Sequence, residues 1–339
     1  PLNSLGSLAN DSLPESIRFI QYEAPDFKKP GEGKRIVASY TLYTIRHFLK
    51  RYKRDDLCIC VGTTFVALVG IILKVFLRRK IKLVSWIRSI AVKEMQIDGS
   101  RSYRLAKFLE KRLLSRSDLI LANGIDTYEH YSSEYSLGKN KIFTIFNAVQ
   151  TSDFKGIKNP RFEKGIRIVV SYIGRLVEGK GFLDFVNCVE EFYQRIIGKE
   201  RINIEFRVYG DGIFYGISSD KLKYFGVFQP RELLGFIDDI DLILFLNHSK
   251  VAGGVSHGLL EAMAAGRLIV AWDNLIHNQV LNRNNSILIK EGSNEELISL
   301  FIRINHLNDK DKYDFLEKCD SVKKDSERYS VEQHMITFN

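Results

Sequence analysis

Short, densely apolar runs alternate with longer amphipathic stretches along almost the whole chain. The short runs, rich in Val, Ile, Leu and aromatic residues, read as strands buried on both faces, and the stretches between them as covering helices. In the first half strands are expected at residues 17–23, 57–61, 82–87, 118–123 and 141–146, and helices at 35–52, 103–114 and 127–135. A polar stretch at 150–165, with Lys, Gly, Asn and Pro, reads as a linker. The pattern then restarts. Strands are expected at 166–173, 202–209, 224–228, 241–246, 267–271 and 286–289, and helices at 182–197, 231–238 and 256–265, the last closed by Gly266. From residue 294 the chain is polar and helical by period. Such alternation specifies α/β architecture, with parallel sheets wound by helices on both faces. The expected division is a first domain at 1–155, a second at 156–310, and a helical tail at 311–339 packing on the first.

Two segments complicate this picture. A doubly wound domain normally opens with a strand and a glycine-bearing loop, yet the chain begins PLNSLGS, with Gly6 the one remnant of such a loop. A missing first strand is the preferred reading, and an abbreviated domain the alternative. Residues 57–77 are almost wholly apolar, interrupted by Lys74 and followed by Arg78, Arg79 and Lys80. That length approaches the ~20 residues of a bilayer span. The Gly-Thr-Thr turn at 62–64 and the β-branched start favour a buried strand followed by a helix from about residue 64.

Composition narrows the class. A chain of 339 residues, 45% hydrophobic and 27% charged, has the proportions of a globular protein with room for two cores. Four cysteines, Cys58, Cys60, Cys188 and Cys319, are too few for a disulfide framework and have no clustered ligands beside them, so they read as buried thiols in a reducing compartment. No signal peptide opens the sequence. Charge is lopsided: residues 1–150 hold 25 of the 50 Lys and Arg but only 14 of the 41 Asp and Glu. A basic half suggests an anionic partner such as a membrane surface or a phosphorylated lipid, with a merely solvated surface as the bland alternative. Without zinc-finger, aromatic RNA-binding or helix-turn-helix patterns, nucleic acid is not expected.

Two segments carry chemistry. In VVSYIGRLVEGKG (169–181) a hydrophobic strand ends in Gly174, and Arg175 and Lys180 follow in the loop before a helix. Doubly wound sheets bind ligands at the carboxyl ends of their strands, where two cations could grip a diphosphate. In GGVSHGLLEAMAAG (253–266) two glycines and a serine precede a helix bearing Glu261. Amides at a helix start attract phosphate, and a carboxylate within such a helix could accept hydrogen bonds from the hydroxyls of a ribose. Asp239-Ile240-Asp241 has the outline of a metal-binding pair but leads into a buried strand, and is discounted.

The pair GRLVEGKG and GLLEAMAAG, with VYGDG (208–212), YFGVF (224–228) and DLILFLN (241–247) between them in order, resembles the donor-binding signature of the family-four retaining glycosyltransferases of the GT-B fold. DLILAN (118–123) and KIFTIFNAV (141–149) match more loosely, and the resemblance covers roughly residues 35–300. It implies two Rossmann-like domains facing across a cleft, the acceptor side first and the nucleotide-sugar side second. It also implies transfer of a sugar from a UDP- or GDP-type donor to a glycan or lipid-linked acceptor, with retention of configuration and with neither metal nor other cofactor. Carried over by residue, Arg175 and Lys180 would bind the diphosphate and stabilise its departure, and Glu261 would hold the ribose. Gly253, Gly254, Val255 and Ser256 would line the donor, their backbone amides turned to phosphate or sugar, and Val227 would lie against the base. Two departures stand out. Where the family has a glutamate eight positions before Glu261 this chain has Gly253, and where it places a histidine just after the 82–87 strand this chain has Trp86-Ile87-Arg88 and no histidine. The expectation is a cytoplasmic enzyme, peripheral on the inner membrane face through the basic half and the apolar helix. A non-catalytic nucleotide-sugar-binding protein or partner subunit, and an epimerase of the same fold, are the alternatives.

Overall fold

The computed structural model describes residues 33–338 apart from 52–56, 63–64, 77–80, 98–99, 139, 199, 218 and 251–252. The strand expected at 17–23, Gly6, and the basic residues Arg78, Arg79 and Lys80 lie outside the described residues. In chain order the elements begin with α1 (Gly33–Arg51), β1 (Leu57–Val61), α2 (Phe65–Phe76), β2 (Lys82–Ile87), α3 (Ala91–Ile97), α4 (Tyr103–Arg116), β3 (Leu119–Ala122), α5 (Ile125–Tyr135) and β4 (Ile142–Thr144). They continue with β5 (Ile168–Ile173), α6 (Phe182–Ile196), β6 (Ile204–Tyr209), β7 (Leu222–Gly226), α7 (Leu233–Phe236), β8 (Leu242–Phe245), α8 (His257–Ala264), β9 (Leu268–Asp273) and β10 (Ile287–Lys290). Helices α9 (Asn294–Asn305), α10 (Asp309–Ser326) and α11 (Val331–Phe338) close the chain. The strands form one sheet in the order β1-β2-β3-β4 and another in the order β10-β9-β8-β5-β6-β7. Every pair in the second sheet is parallel. Helix α3 has no counterpart among the expected elements. The helix expected at 231–238 is broken into two 3-10 turns around the short α7.

Contacts divide the chain into two units, residues 1–85 with 101–119, and residues 86–100 with 120–339. In the first, the described part of the apolar stretch separates into β1 and α2, and no described helix is long and apolar enough to cross a membrane. Val69 and Leu73 of α2 pack with Ile81, Ile45 and Phe48. Lys74, which interrupts the stretch, is buried with its ammonium on Asp118 (2.5 Å) and the Ile81 carbonyl (2.9 Å), the pairing a buried charge requires. Among the described side chains of α2, Val69, Leu73 and Lys74 serve the core of its own unit, while Val75 is exposed. The four cysteines are free thiols; Cys60, Cys188 and Cys319 are buried and Cys58 is half-buried.

In the second unit the period-two rule sorts side chains onto two cores. Val170 and Tyr172 of β5 and Leu242 and Leu244 of β8 face one core with Phe206 and the apolar face of α6. Val169, Ile243 and Phe245 face the other with Leu259, Leu260 and Met263 of α8. Helix α6 buries Phe182, Phe185, Val186, Val189, Phe192 and Ile196, the spacing of one helical face. The stretch expected as a linker is pinned down: Phe154 and Phe162 are buried, the latter edge-on to Phe315 of α10. The chain's last helices return to residues 146–151, with Ser330 bridging Val149 and His334 on the Phe146 carbonyl.

The sheet order is what positions a site. Connections run outward in both directions from β5 and β8, so their carboxyl ends part and leave a crevice. Asp241, at the head of β8, holds the opposite end together. It is 1% exposed, and its carboxylate accepts from the amides of Val169 (2.8 Å) and Arg161 (2.7 Å). That carboxylate is structural. Asp241→Ala strands the buried Val169 amide and should destabilise the fold by about 2–3 kcal/mol. Urea denaturation at neutral pH checks this, and a loss under about 1 kcal/mol would mean the bonds are dispensable.

Candidate functional site

The strand β5 ends in Tyr172-Ile173-Gly174, and the loop from 174 to 181 turns back over the end of β8. Gly181 caps α6 with φ of +71°, and a methyl group there would collide with the Leu246 carbonyl. No other residue fits that close approach. The loop is clamped from three sides. The Gly174 and Leu176 amides donate to the carbonyls of Tyr209 (3.0 Å) and Asp211 (2.9 Å), and the His248 amide donates to the Gly179 carbonyl (3.2 Å). The buried Tyr172 hydroxyl lies 2.9 Å from the Arg175 carbonyl and 3.1 Å from the Lys180 carbonyl, tying the two ends together. Burial pushes the Tyr172 phenol well above its usual range, so it remains a donor.

Above the parted ends of β5 and β8 lies a cavity of about 740 Å³. Arg175 and Lys180 line it from the loop, Ser256, His257, Gly258 and Glu261 from the start of α8, and Val227, Phe228 and Pro230 from the segment after β7. The Ser256 hydroxyl caps α8 by accepting from the Leu259 amide (3.2 Å). The His257 and Gly258 amides stand at the first two helical positions, which have no carbonyl one turn back. Glu261 is half-buried, and among the described residues its carboxylate has neither a hydrogen-bond donor nor a counter-ion. Burial alone raises its pKa. A buried carboxylate without partners is costly and marks a place where a ligand can supply them. One end of the crevice carries a stack of aromatic rings, Phe225 on Tyr209 (4.7 Å between centroids) and Tyr209 on Phe236 (4.3 Å).

The cation loop and the helix bearing Glu261 fall within residues 167–306, which match the family description "Glycosyl transferases group 1". The uncharacterized glycosyltransferase MJ1069 of Methanocaldococcus jannaschii is 24% identical over 266 residues, 74% of this chain and 67% of that protein. Sucrose-phosphate synthase of Thermosynechococcus elongatus superposes with a TM-score of 0.72 at 13% identity, covering 97% of this chain and 84% of that one. HepE of Anabaena in complex with UDP-glucose gives 0.65 at 17% identity, covering 91% and 84%. Against the longer TarM, the chain spans 57% of that protein's length. Residues 167–306 thus match a glycosyl transferases group 1 domain, and the chain has the GT-B fold.

Of the residues singled out from sequence, the group 1 domain brings Arg175, Lys180, Val227, Ser256 and Glu261 to one cavity. The other three stand apart from its lining. Gly254 has φ of +67°, a methyl group there would strike the Asn123 carbonyl, and its amide donates to Asp126 (3.1 Å) rather than facing a phosphate. Val255 is fully buried, its carbonyl taken by the Asn147 amide nitrogen (2.6 Å). Gly253 is bordered by open space where a side chain would project. Sequence reasoning passed over Tyr172, Tyr209 and His257. Tyr172 is a tyrosine among aliphatic strand neighbours, and that was the available signal for a buried hydroxyl with a partner.

The charge of Glu261 contributes to the domain's response to pH. Its folded pKa is raised, so its contribution to stability is present below the ordinary carboxylate range and fades as pH rises through the raised value. Glu261→Gln should therefore melt higher than the parent at pH 7 to 8, with the difference vanishing in acid, while binding of UDP or GDP weakens. Thermal melts over a pH series with and without nucleotide check both halves. A variant that melts lower at pH 7 and binds normally would show Glu261 to be an ordinary surface residue.

Proposed function

We propose that this protein transfers a sugar from a nucleotide diphosphate donor to a glycan or lipid-linked acceptor, with retention of anomeric configuration and with no required metal or other cofactor, as a family-four enzyme. The observation that carries the reading is the unpartnered Glu261 carboxylate sharing one cavity with Arg175, Lys180 and the amino end of α8. A nucleoside diphosphate has the complementary chemistry. Its ribose offers two hydroxyl donors to Glu261, and its base fits against Val227. Its phosphates meet two cations and the helix-start amides at His257 and Gly258. In transfer the sugar–phosphate bond breaks and negative charge collects on the leaving diphosphate. Charges fixed before the reaction stabilise that state without reorganisation. Arg175, Lys180 and the helix start already supply positive charge there, which supports metal independence. The UDP-glucose complex of HepE supports a uridine-type donor, with a guanosine type as the alternative.

Gly253 favours a second reading. It offers no side chain to a donor sugar, and a domain that binds the nucleotide sugar without turning it over would tolerate that. Slow release of nucleoside diphosphate from a donor supports transfer, binding without release supports the second reading, and an isomerised sugar would indicate an epimerase. Arg175→Ala and Lys180→Ala should each lower turnover by ~10²-fold or more, the scale for loss of one preorganised charge-stabilising group. Both variants binding UDP and GDP as tightly as the parent would remove the diphosphate assignment.

The reading extends to a cytoplasmic location at the inner membrane face. The apolar contact is on α4, where Leu105 and Phe108 are exposed and the Arg112 guanidinium lies over the Phe108 ring (5.2 Å), with Arg101 and Arg104 nearby in sequence. Each cation near an anionic leaflet contributes about 1 kcal/mol. Cosedimentation with phosphatidylserine vesicles is expected at low salt, fading as salt rises and lost in the Leu105→Ser, Phe108→Ser double variant. Absence of binding by the parent at physiological salt would leave only a solvated basic surface.

A further inference from the structure

Beside His257, which lines the cavity, stands a further cation. Arg88 follows β2, and its Nη2 lies 3.0 Å from His257 Nε2 and 3.5 Å from Asn147 Oδ1. A guanidinium only donates, so His257 Nε2 accepts. The imidazole is then neutral, with the Ala148 backbone as its other hydrogen-bond partner. Asn147 is fixed in turn by its amide nitrogen on the Val255 carbonyl (2.6 Å), and the Trp86 ring lies 5.7 Å from the guanidinium carbon. The side chain is held in place by neutral groups alone.

That arrangement leaves the charge facing solvent rather than a counter-ion. Among the described residues no carboxylate lies within ion-pair distance of Arg88, and its Nε and Nη1 donate to nothing. Burial, and then the Arg88 cation beside it, lower the pKa of His257 and favour its neutral form. Three residues before Ser256, Gly253 supplies no acid and leaves open space. Arg88 is exposed, so its unused donors face solvent and are open to a ligand that displaces water.

We infer that Arg88 binds an anionic substituent, a carboxylate or phosphate, carried by the sugar being transferred or by the acceptor it joins. The inference rests on the nucleotide-sugar reading, because that reading places the sugar beyond the diphosphate, toward His257. A planar guanidinium with unused donors suits oxyanions and gains little from a neutral hydroxymethyl group.

Isothermal titration separates the two ideas. UDP and GDP are titrated first, into the parent, Arg88→Gln and Arg88→Lys; no binding by the parent would defeat the nucleotide reading itself. UDP-glucuronate is then compared with UDP-glucose, and glucose 6-phosphate and glucuronate with glucose on the nucleotide-saturated protein. In at least one arm the anionic member should bind about 10-fold or more tighter, the scale of a charge-assisted hydrogen bond. The donor arm assigns the anion to the transferred sugar, the other arm to the acceptor. The preference should vanish in Arg88→Gln, survive in part in Arg88→Lys, and leave nucleotide affinity within about twofold in both. Nucleotide binding with no anion preference in either arm, or a preference that persists in Arg88→Gln, would overturn the inference.

Discussion

The approach of Gly181 to the Leu246 carbonyl brings the loop after β5 down onto the end of β8, and the site is assembled around that contact. Sheet order alone opens a crevice there, because the connections from β5 and β8 leave in opposite directions. A crevice is not yet a binding site. The loop must be close enough for Arg175 and Lys180 to share a cavity with α8, and a side chain at 181 would wedge the two apart. Tyr172 completes the clamp with one hydroxyl reaching both ends of the loop. Backbone held this way presents its charges with little left to reorganise, the condition under which fixed charges act most strongly.

Charge is distributed across this site with a consistent logic. Asp241 and Asp126 are buried acids, and each is saturated by amides, Asp241 at the bottom of β8 and Asp126 under Gly254. Glu261 is the contrasting acid, enclosed and unpartnered, and its raised pKa registers the cost. His248 shows the reverse case nearby. Its ring lies between Asp184 (2.7 Å) and Glu291 (3.4 Å), and those acids raise its pKa. The fold therefore satisfies these structural acids and leaves Glu261, which faces the cavity, without a partner among the described residues, as a site that trades stability for binding would.

How much of this was legible depended on whether the information was local. The strand-and-helix rhythm of residues 166–290 was readable because strands buried on both faces are continuous apolar runs, and α6 and α8 announce themselves by period and by their flanking glycines. Arg175, Lys180 and Glu261 could be placed together because ligands gather at strand carboxyl ends, and both motifs lie there. The rest was set by partners far off in the chain. Nothing near Gly254 in sequence reveals that Asp126 takes its amide, or that Asn147 takes the carbonyl of Val255. Arg88 and His257 meet across half of the chain's length. The helix expected at 231–238 failed for a local reason that composition hid. Pro230 and the Gln229–Glu232 capping box tighten its start, and the turns around α7 fit it against Tyr209 through Phe236.

The central claim is that the cavity over β5 and β8 is a nucleoside diphosphate site organised by Glu261 and the two cations of the 174–181 loop. A crystal structure of the protein with UDP or GDP tests it most directly. The account expects the ribose hydroxyls within hydrogen-bond distance of the Glu261 carboxylate, with the diphosphate between Arg175, Lys180 and the first amides of α8. A nucleotide bound elsewhere, or bound with Glu261 turned away from the ribose, would contradict it.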